Sequence, residues 1–138
     1  MDQLFEFIGN NPLLVGAFVV LLTLFIRNET QRGGRSVSAQ QLVNLVNQAG
    51  AAVVDVRDSK EFEAGHIVDA VNLPFSSLDS RWEELKQFQG KHIIIVCKMG
   101  QHANAAGTIL RKNGFEHVLK LTGGMMEWRN QSLPVVKS

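Results

Sequence analysis

The sequence predicts an α/β fold: a small, mostly parallel sheet with helices on both faces, preceded by one transmembrane helix. Three observations predict it. Two short runs, AAVVDV at 51–56 and IIIVC at 93–97, are apolar and β-branched without alternation, as strands buried on both faces are. Segments with apolar residues at helical spacing separate the strand-like runs, the pattern of a layered α/β domain. Finally, twenty uncharged residues, 7–26, lie between Glu6 and Arg27.

At the helical rise per residue, that uncharged stretch reaches about 30 Å, the thickness of a hydrocarbon core. It is most apolar over 13–26, LLVGAFVVLLTLFI. Asn10 and Asn11 belong near the headgroups, and Pro12 fits a first helical turn, where its missing N–H costs nothing. A cleaved signal peptide would need a basic start and a small-residue cleavage site. This start carries Asp2 and Glu6, and the stretch runs into Arg27-Asn28-Glu29. A core helix apolar all round would need a larger protein about it. Arg27, Arg32 and Arg35 follow the stretch and no Lys or Arg precedes it. The positive-inside rule then puts the C-terminal side in the cytoplasm. The expectation is a single-pass protein of the inner (cytoplasmic) membrane whose soluble domain faces the cytoplasm. Residues 28–35, NETQRGGR, are polar with Gly33-Gly34 and read as a flexible linker. The anchor and linker thus occupy 1–35 and the domain 36–138.

Within the domain, Ser38 can cap a helix over 39–47, with Leu42, Leu45 and Val46 on one face and Gly50 ending it. A buried strand follows over 51–56, then a short helix over 59–64 stopped by Gly65. Residues 71–73 make a short strand before Pro74, and 78–88 an amphipathic helix on Leu78, Trp82, Leu85 and Phe88. The strongest strand is 93–97. A helix over 103–113 ends at Gly114, a strand follows over 118–121, and a short helix over 125–130 closes the series.

Composition narrows the function. The 138 residues leave room for one ordinary domain. A net charge of +1 gives no electrostatic case for nucleic acid. The single Cys excludes an internal disulfide, CxxC redox chemistry and a multi-thiolate zinc site. A lone Cys is commonly just a small buried hydrophobe. Cys97, however, is the last residue of the strongest strand, and ligands of parallel sheets bind beyond the carboxyl ends of strands. After it come Lys98, Met99, Gly100, Gln101 and His102, with a helix beginning near Ala103. A strand, a tight loop and a helix N-terminus bring backbone N–H groups to one point and favour an anion there. The expected result is a thiolate available as a nucleophile. Gly100 permits the sharp turn, and Lys98 and His102 add donors or charge.

Taken together, several segments resemble the rhodanese family. They are Asp55-Val56-Arg57; Glu61-Phe62 with Gly65-His66-Ile67; Asp69 to Pro74 (DAVNLP); the loop CKMGQHA; and Gly123-Gly124-Met125 with Trp128. The resemblance covers about residues 38–135, and the order and spacing of the motifs are more specific than any one of them. It implies a sulfurtransferase with a small parallel sheet and helices on both sides. It makes Cys97 the residue that takes sulfur from a small sulfane-sulfur donor or a persulfide-bearing protein and passes it to a thiol acceptor, with no cofactor. The amides from Lys98 to His102 would cradle the sulfur. Asp55, Arg57, Glu61 and His66 would support the domain: Arg57 and Glu61, four apart, can pair, and His66 reads as a hydrogen-bonded structural histidine. The resembled family's better thiosulfate users often carry Arg at the sixth loop position, occupied here by His102. An imidazole replaces a permanently charged five-donor fork, so low activity with thiosulfate is expected.

Other chemistries fit less well. A cysteine phosphatase needs a longer loop with an Arg for phosphate. A Cys/His hydrolase lacks a third orienting group. His66, His92, His102 and His117 lack metal-ligand spacing, so no metal is expected. The main alternative is a membrane-tethered adaptor that keeps the fold with little turnover, since a tether alone raises local concentration.

Overall fold

The computed structural model describes residues 1–31 and 34–137. The chain divides into two units, Met1–Gln31 and Arg32–Ser138, each described by itself.

The first unit is two helices, α1 (Asp2–Asn10) and α2 (Pro12–Gln31). Asn11 breaks between them at φ −129° and ψ 57°. Its backbone amide and its side-chain Nδ2 both donate to the Phe7 carbonyl at 3.1 Å. Pro12 opens α2, where no donor is needed. The expected single span over 7–26 therefore crosses a helix break at Asn11. The uninterrupted helix lies later, and its stretch Pro12–Glu29 is long and apolar enough to cross a membrane, with mean hydropathy 1.6 and no buried residue. The expected linker over 28–35 is largely displaced: α2 runs to Gln31, Arg35 is in a strand, and residues 32 and 33 lie outside the described residues.

The second unit runs β1 (Arg35–Val37), α3 (Ala39–Ala49), β2 (Ala52–Asp55), α4 (Ser59–Ala64), β3 (Val71–Asn72), α5 (Phe75–Arg81), a 3₁₀ helix (Trp82–Phe88), β4 (Ile93–Val96), α6 (Ala103–Lys112), β5 (Val118–Leu121) and α7 (Gly124–Asn130). The five strands form one sheet in the order β1-β5-β4-β2-β3, parallel at every pairing. Ser38 and Gln41 make a reciprocal capping box at the start of α3, and Gly50 ends it in the left-handed conformation at φ 65°.

The period of two along the central strands sorts side chains to the two faces. Val54, Ile93 and Ile95 pack with Leu78, Leu85, Ala106 and Leu110 on one side. Val53, Ile94 and Val96 pack with Leu42, Met125 and Trp128 on the other. All four residues of β4 are fully buried, which is why that strand carries no polar residue.

Two elements differ from expectation. The helix expected over 78–88 is α5 followed by a 3₁₀ helix. Trp82, Leu85 and Phe88 recur every third residue, and a 3₁₀ helix aligns that spacing on one face where an α-helix would rotate it away. β1 was not expected: it is a three-residue edge strand paired with β5, Val37 opposite Leu121, and only Val37 is buried.

Candidate functional site

β4 delivers Cys97 to the carboxyl end of the sheet, between β2 and β5. The side chain belongs to the apolar cluster and is 3% exposed. The chain then turns at Gly100, whose φ of +91° favours glycine. That turn aims the Gly100 N–H at Cys97 Sγ, 2.8 Å away. His102 forms the N-cap of α6 with no side-chain capping bond. The thiol therefore receives a backbone donor directly and stands beside a helix N-terminus.

The loop is also held from behind. The Met125 amide donates to the Cys97 carbonyl at 2.8 Å and the Met126 amide to the Lys98 carbonyl at 3.0 Å. α7 must approach closely to do this. A Cβ on Gly124 would run into the Cys97 carbonyl oxygen and lie 2.9 Å from the Lys98 carbonyl carbon, and φ there is +59°. Gly124 is thus the contact that lets α7 brace the loop. The sequence offers Gly123-Gly124 only as part of a motif, because a close approach to a distant segment leaves no local pattern.

Cys97, Lys98, Gln101 and His102 line one cavity of about 290 Å³ with Arg57, Asp58, Glu61, Phe75 and Ser76. The His102 ring stacks on Phe75, centroids 4.8 Å apart at 21°. Met99 does not face this cavity; it lines a neighbouring groove. Asp58, Phe75 and Ser76 were missed as site residues. Each follows a strand closely, β2 or β3, so the rule that singled out Cys97 applies to them as well.

Arg57 is 6% exposed and Asp55 1%. The Arg57 guanidinium meets Asp55 through Nε, at 3.0 and 3.1 Å, and through Nη2 at 2.7 Å. Nη2 also donates to the Gly65 carbonyl at 2.8 Å. The expected Arg57–Glu61 pair is thus not formed. Asp55 lies at the end of β2, where its carboxylate also accepts from the Arg57 amide at 3.0 Å, so it holds both the backbone and the side chain of Arg57. Glu61 instead lines the cavity. Asn72 fixes the same corner from β3, donating to the Asp55 and Arg57 carbonyls.

His66 sits apart from Cys97's cavity. Its Nδ1 lies 2.7 Å from the Phe62 carbonyl, its ring stacks on Phe62, and its backbone bridges Val136. The four histidines do not converge: among them only His92 and His117 are neighbours, with ring centroids 5.1 Å apart.

Comparison with known proteins agrees with this geometry. The rhodanese-like domain family matches residues 38–131. The protein YibN of Escherichia coli K12 is 28% identical over 142 residues, covering 99% of both chains. A rhodanese-related protein of Thermoplasma volcanium superposes with a TM-score of 0.68 at 30% identity, over 75% of this chain and 99% of its own. The human single-domain sulfurtransferase TSTD1 superposes with a TM-score of 0.62 at 25% identity, over 71% of this chain and 97% of its own. A family match over residues 38–131, most of the second unit, leaves one assignment: the chain belongs to the rhodanese-like family.

Proposed function

We propose that this protein is a membrane-anchored sulfurtransferase that carries sulfane sulfur as a persulfide on Cys97. The observation that carries the reading is the Gly100 N–H directed at Cys97 Sγ inside a cavity at the carboxyl end of the sheet. Loading proceeds when the Cys97 thiolate attacks the outer sulfur of a donor. A Cys97–S bond forms, the donor's S–S bond breaks, and the donor remnant leaves with the electron pair; from thiosulfate that remnant is sulfite. The loop amides stabilise the anionic sulfur at each stage. Incubating the full-length protein with several sulfane donors and recording its intact mass tests this. A gain of one sulfur atom, removed by a thiol, is the expected result; an unchanged mass with every donor would refute the reading.

A second reading is a tethered adaptor of the same fold with little turnover. His102, in place of a loop Arg, favours it for thiosulfate only, since a persulfide donor makes no demand for that guanidinium.

For the anchor, α2 spans the inner membrane once, with the domain in the cytoplasm; Arg27 at its C-terminal end and the absence of any Lys or Arg before it support that orientation. The full chain is expected to fractionate with membranes and resist carbonate extraction, and deletion of residues 1–27 to release a soluble domain. Recovery of uncleaved full-length protein in the soluble fraction would overturn the anchor. Digestion of the domain from the periplasmic side would reverse the orientation.

A further inference from the structure

We infer that the groove beside the Cys97 loop docks an acidic peptide segment carrying the acceptor thiol, a substrate class that rests on the persulfide reading of Cys97. The groove has a volume of about 400 Å³. It shares Arg57, Glu61 and Lys98 with the Cys97 cavity and is otherwise lined separately.

Its apolar wall is methionine. Met125 is buried, whereas Met99 is 41% and Met126 54% exposed. Among the described residues of the folded unit, five large apolar side chains are exposed: Val68, Met99, Met126, Val135 and Val136. Two of the five face this one groove. Unbranched thioethers adapt to irregular apolar surfaces, as a peptide-binding wall requires. Among the described residues no aromatic side chain lines the groove, which gives a nucleic-acid base no stacking platform there.

Its charge selects the partner. The side chains of Lys98 and Arg129 lie exposed on the groove and have no ion-pair or hydrogen-bond partner among the described residues. Arg57 adds a third cation, its charge largely met by Asp55. Among the described residues the groove's only carboxylate is Glu61. Two unpaired cations against one carboxylate favour an anionic segment. Cys97 lines the smaller cavity, whereas Arg129 and Met126 line the groove beside it. A peptide segment occupying both spaces touches Cys97 and Arg129 together, the arrangement that fits an acceptor thiol borne on a peptide or protein.

The transfer needs no outside oxidant or reductant. The acceptor thiolate attacks the outer sulfur of the Cys97 persulfide, Sγ–S–H. A bond forms between acceptor sulfur and outer sulfur, the Sγ–S bond breaks, and its electron pair returns to Sγ as thiolate. The proton on the outer sulfur leaves with the product persulfide.

The test uses the full chain in detergent micelles and two peptides, each with a cysteine flanked by either glutamates or lysines. Serine versions of both report binding by fluorescence anisotropy, with no sulfur chemistry involved. The acidic peptide is expected to bind about fivefold more tightly than the basic one, with the preference shrinking as salt rises. Arg129→Glu, at an exposed position, should erase or invert the preference, with a melting curve confirming the fold. Met126→Ser should weaken both peptides alike. Equal binding of the two peptides, or a preference untouched by Arg129→Glu, overturns the docking site. Sulfur transfer to 2-mercaptoethanol without peptide discrimination overturns the docking site and leaves the persulfide standing. Selective acidic binding with no sulfur moved to any thiol supports the docking site and overturns the persulfide reading beneath it.

Discussion

Cys97→Ser is expected to abolish sulfur loading completely while the domain stays folded. The loss is total because Cys97 is the only thiol in the chain, so no second cysteine can take over. A hydroxyl does not attack sulfane sulfur at neutral pH, since serine lacks an activating base here: among the described residues the hydrogen-bond partner of Sγ is the Gly100 amide, which donates. The fold persists because the replacement is close in size. Its Oγ keeps the Gly100 N–H as a partner, so the buried hydroxyl is not left unsatisfied. The cost in stability should be within about 1 kcal/mol, the range of a mild buried substitution. Intact mass after donor treatment and a thermal melt of the same sample read both halves. Sulfur still bound covalently to the serine variant would remove Cys97 from the mechanism.

Much of the fold was legible because its central strands are short, apolar and bounded by glycines. β4 and β5 stand where IIIV and VLKL imply, and α4 ends where Gly65 implies. These segments are chosen by burial, and burial writes itself into hydrophobicity. β1 was illegible for the opposite reason. It is an edge strand of three residues whose pairing with β5 comes from proximity, while its own residues Arg35 and Ser36 remain exposed. The 3₁₀ segment was misread because Leu78, Trp82 and Leu85 also fit α-helical spacing, and only Phe88, a further three residues on, separates a period of 3.0 from one of 3.6.

The place of Cys97, at the end of the central strand and on a cavity, was legible from sequence because ligands of parallel sheets bind beyond strand ends. The partners of Arg57 could not. Spacing of four made Glu61 an attractive mate, yet a residue leaving a strand is extended, and helical spacing does not apply there. Asp55, two residues back on the same side of the chain, is nearer, and it binds the guanidinium with both carboxylate oxygens. The correction matters for chemistry. It leaves Glu61 a carboxylate on the cavity that Cys97 lines, where its charge opposes an anionic ligand.

His102→Arg is expected to raise the catalytic efficiency with thiosulfate about tenfold. The site already has room for the fork. Residue 102 lines the Cys97 cavity, and its ring lies flat against Phe75, a face on which a planar guanidinium stacks well. From that position the side chain adds a permanent charge and paired donors for a dianionic donor. A charge-assisted contact contributes roughly 1.5–3 kcal/mol, or about 10- to 150-fold. The lower end applies because residue 102 is exposed and water screens it. Glu61, on the same cavity, acts against the gain, so Glu61→Gln should add to it. Neutral or protein-borne donors carry no such charge and should change by less than about twofold. Steady-state sulfite release from thiosulfate, compared with transfer from a neutral donor for wild type and both variants, reads the prediction. Equal thiosulfate rates in wild type and His102→Arg would place residue 102 outside donor recognition. If both rates also sat at background, the balance would move from the sulfurtransferase to the tethered adaptor.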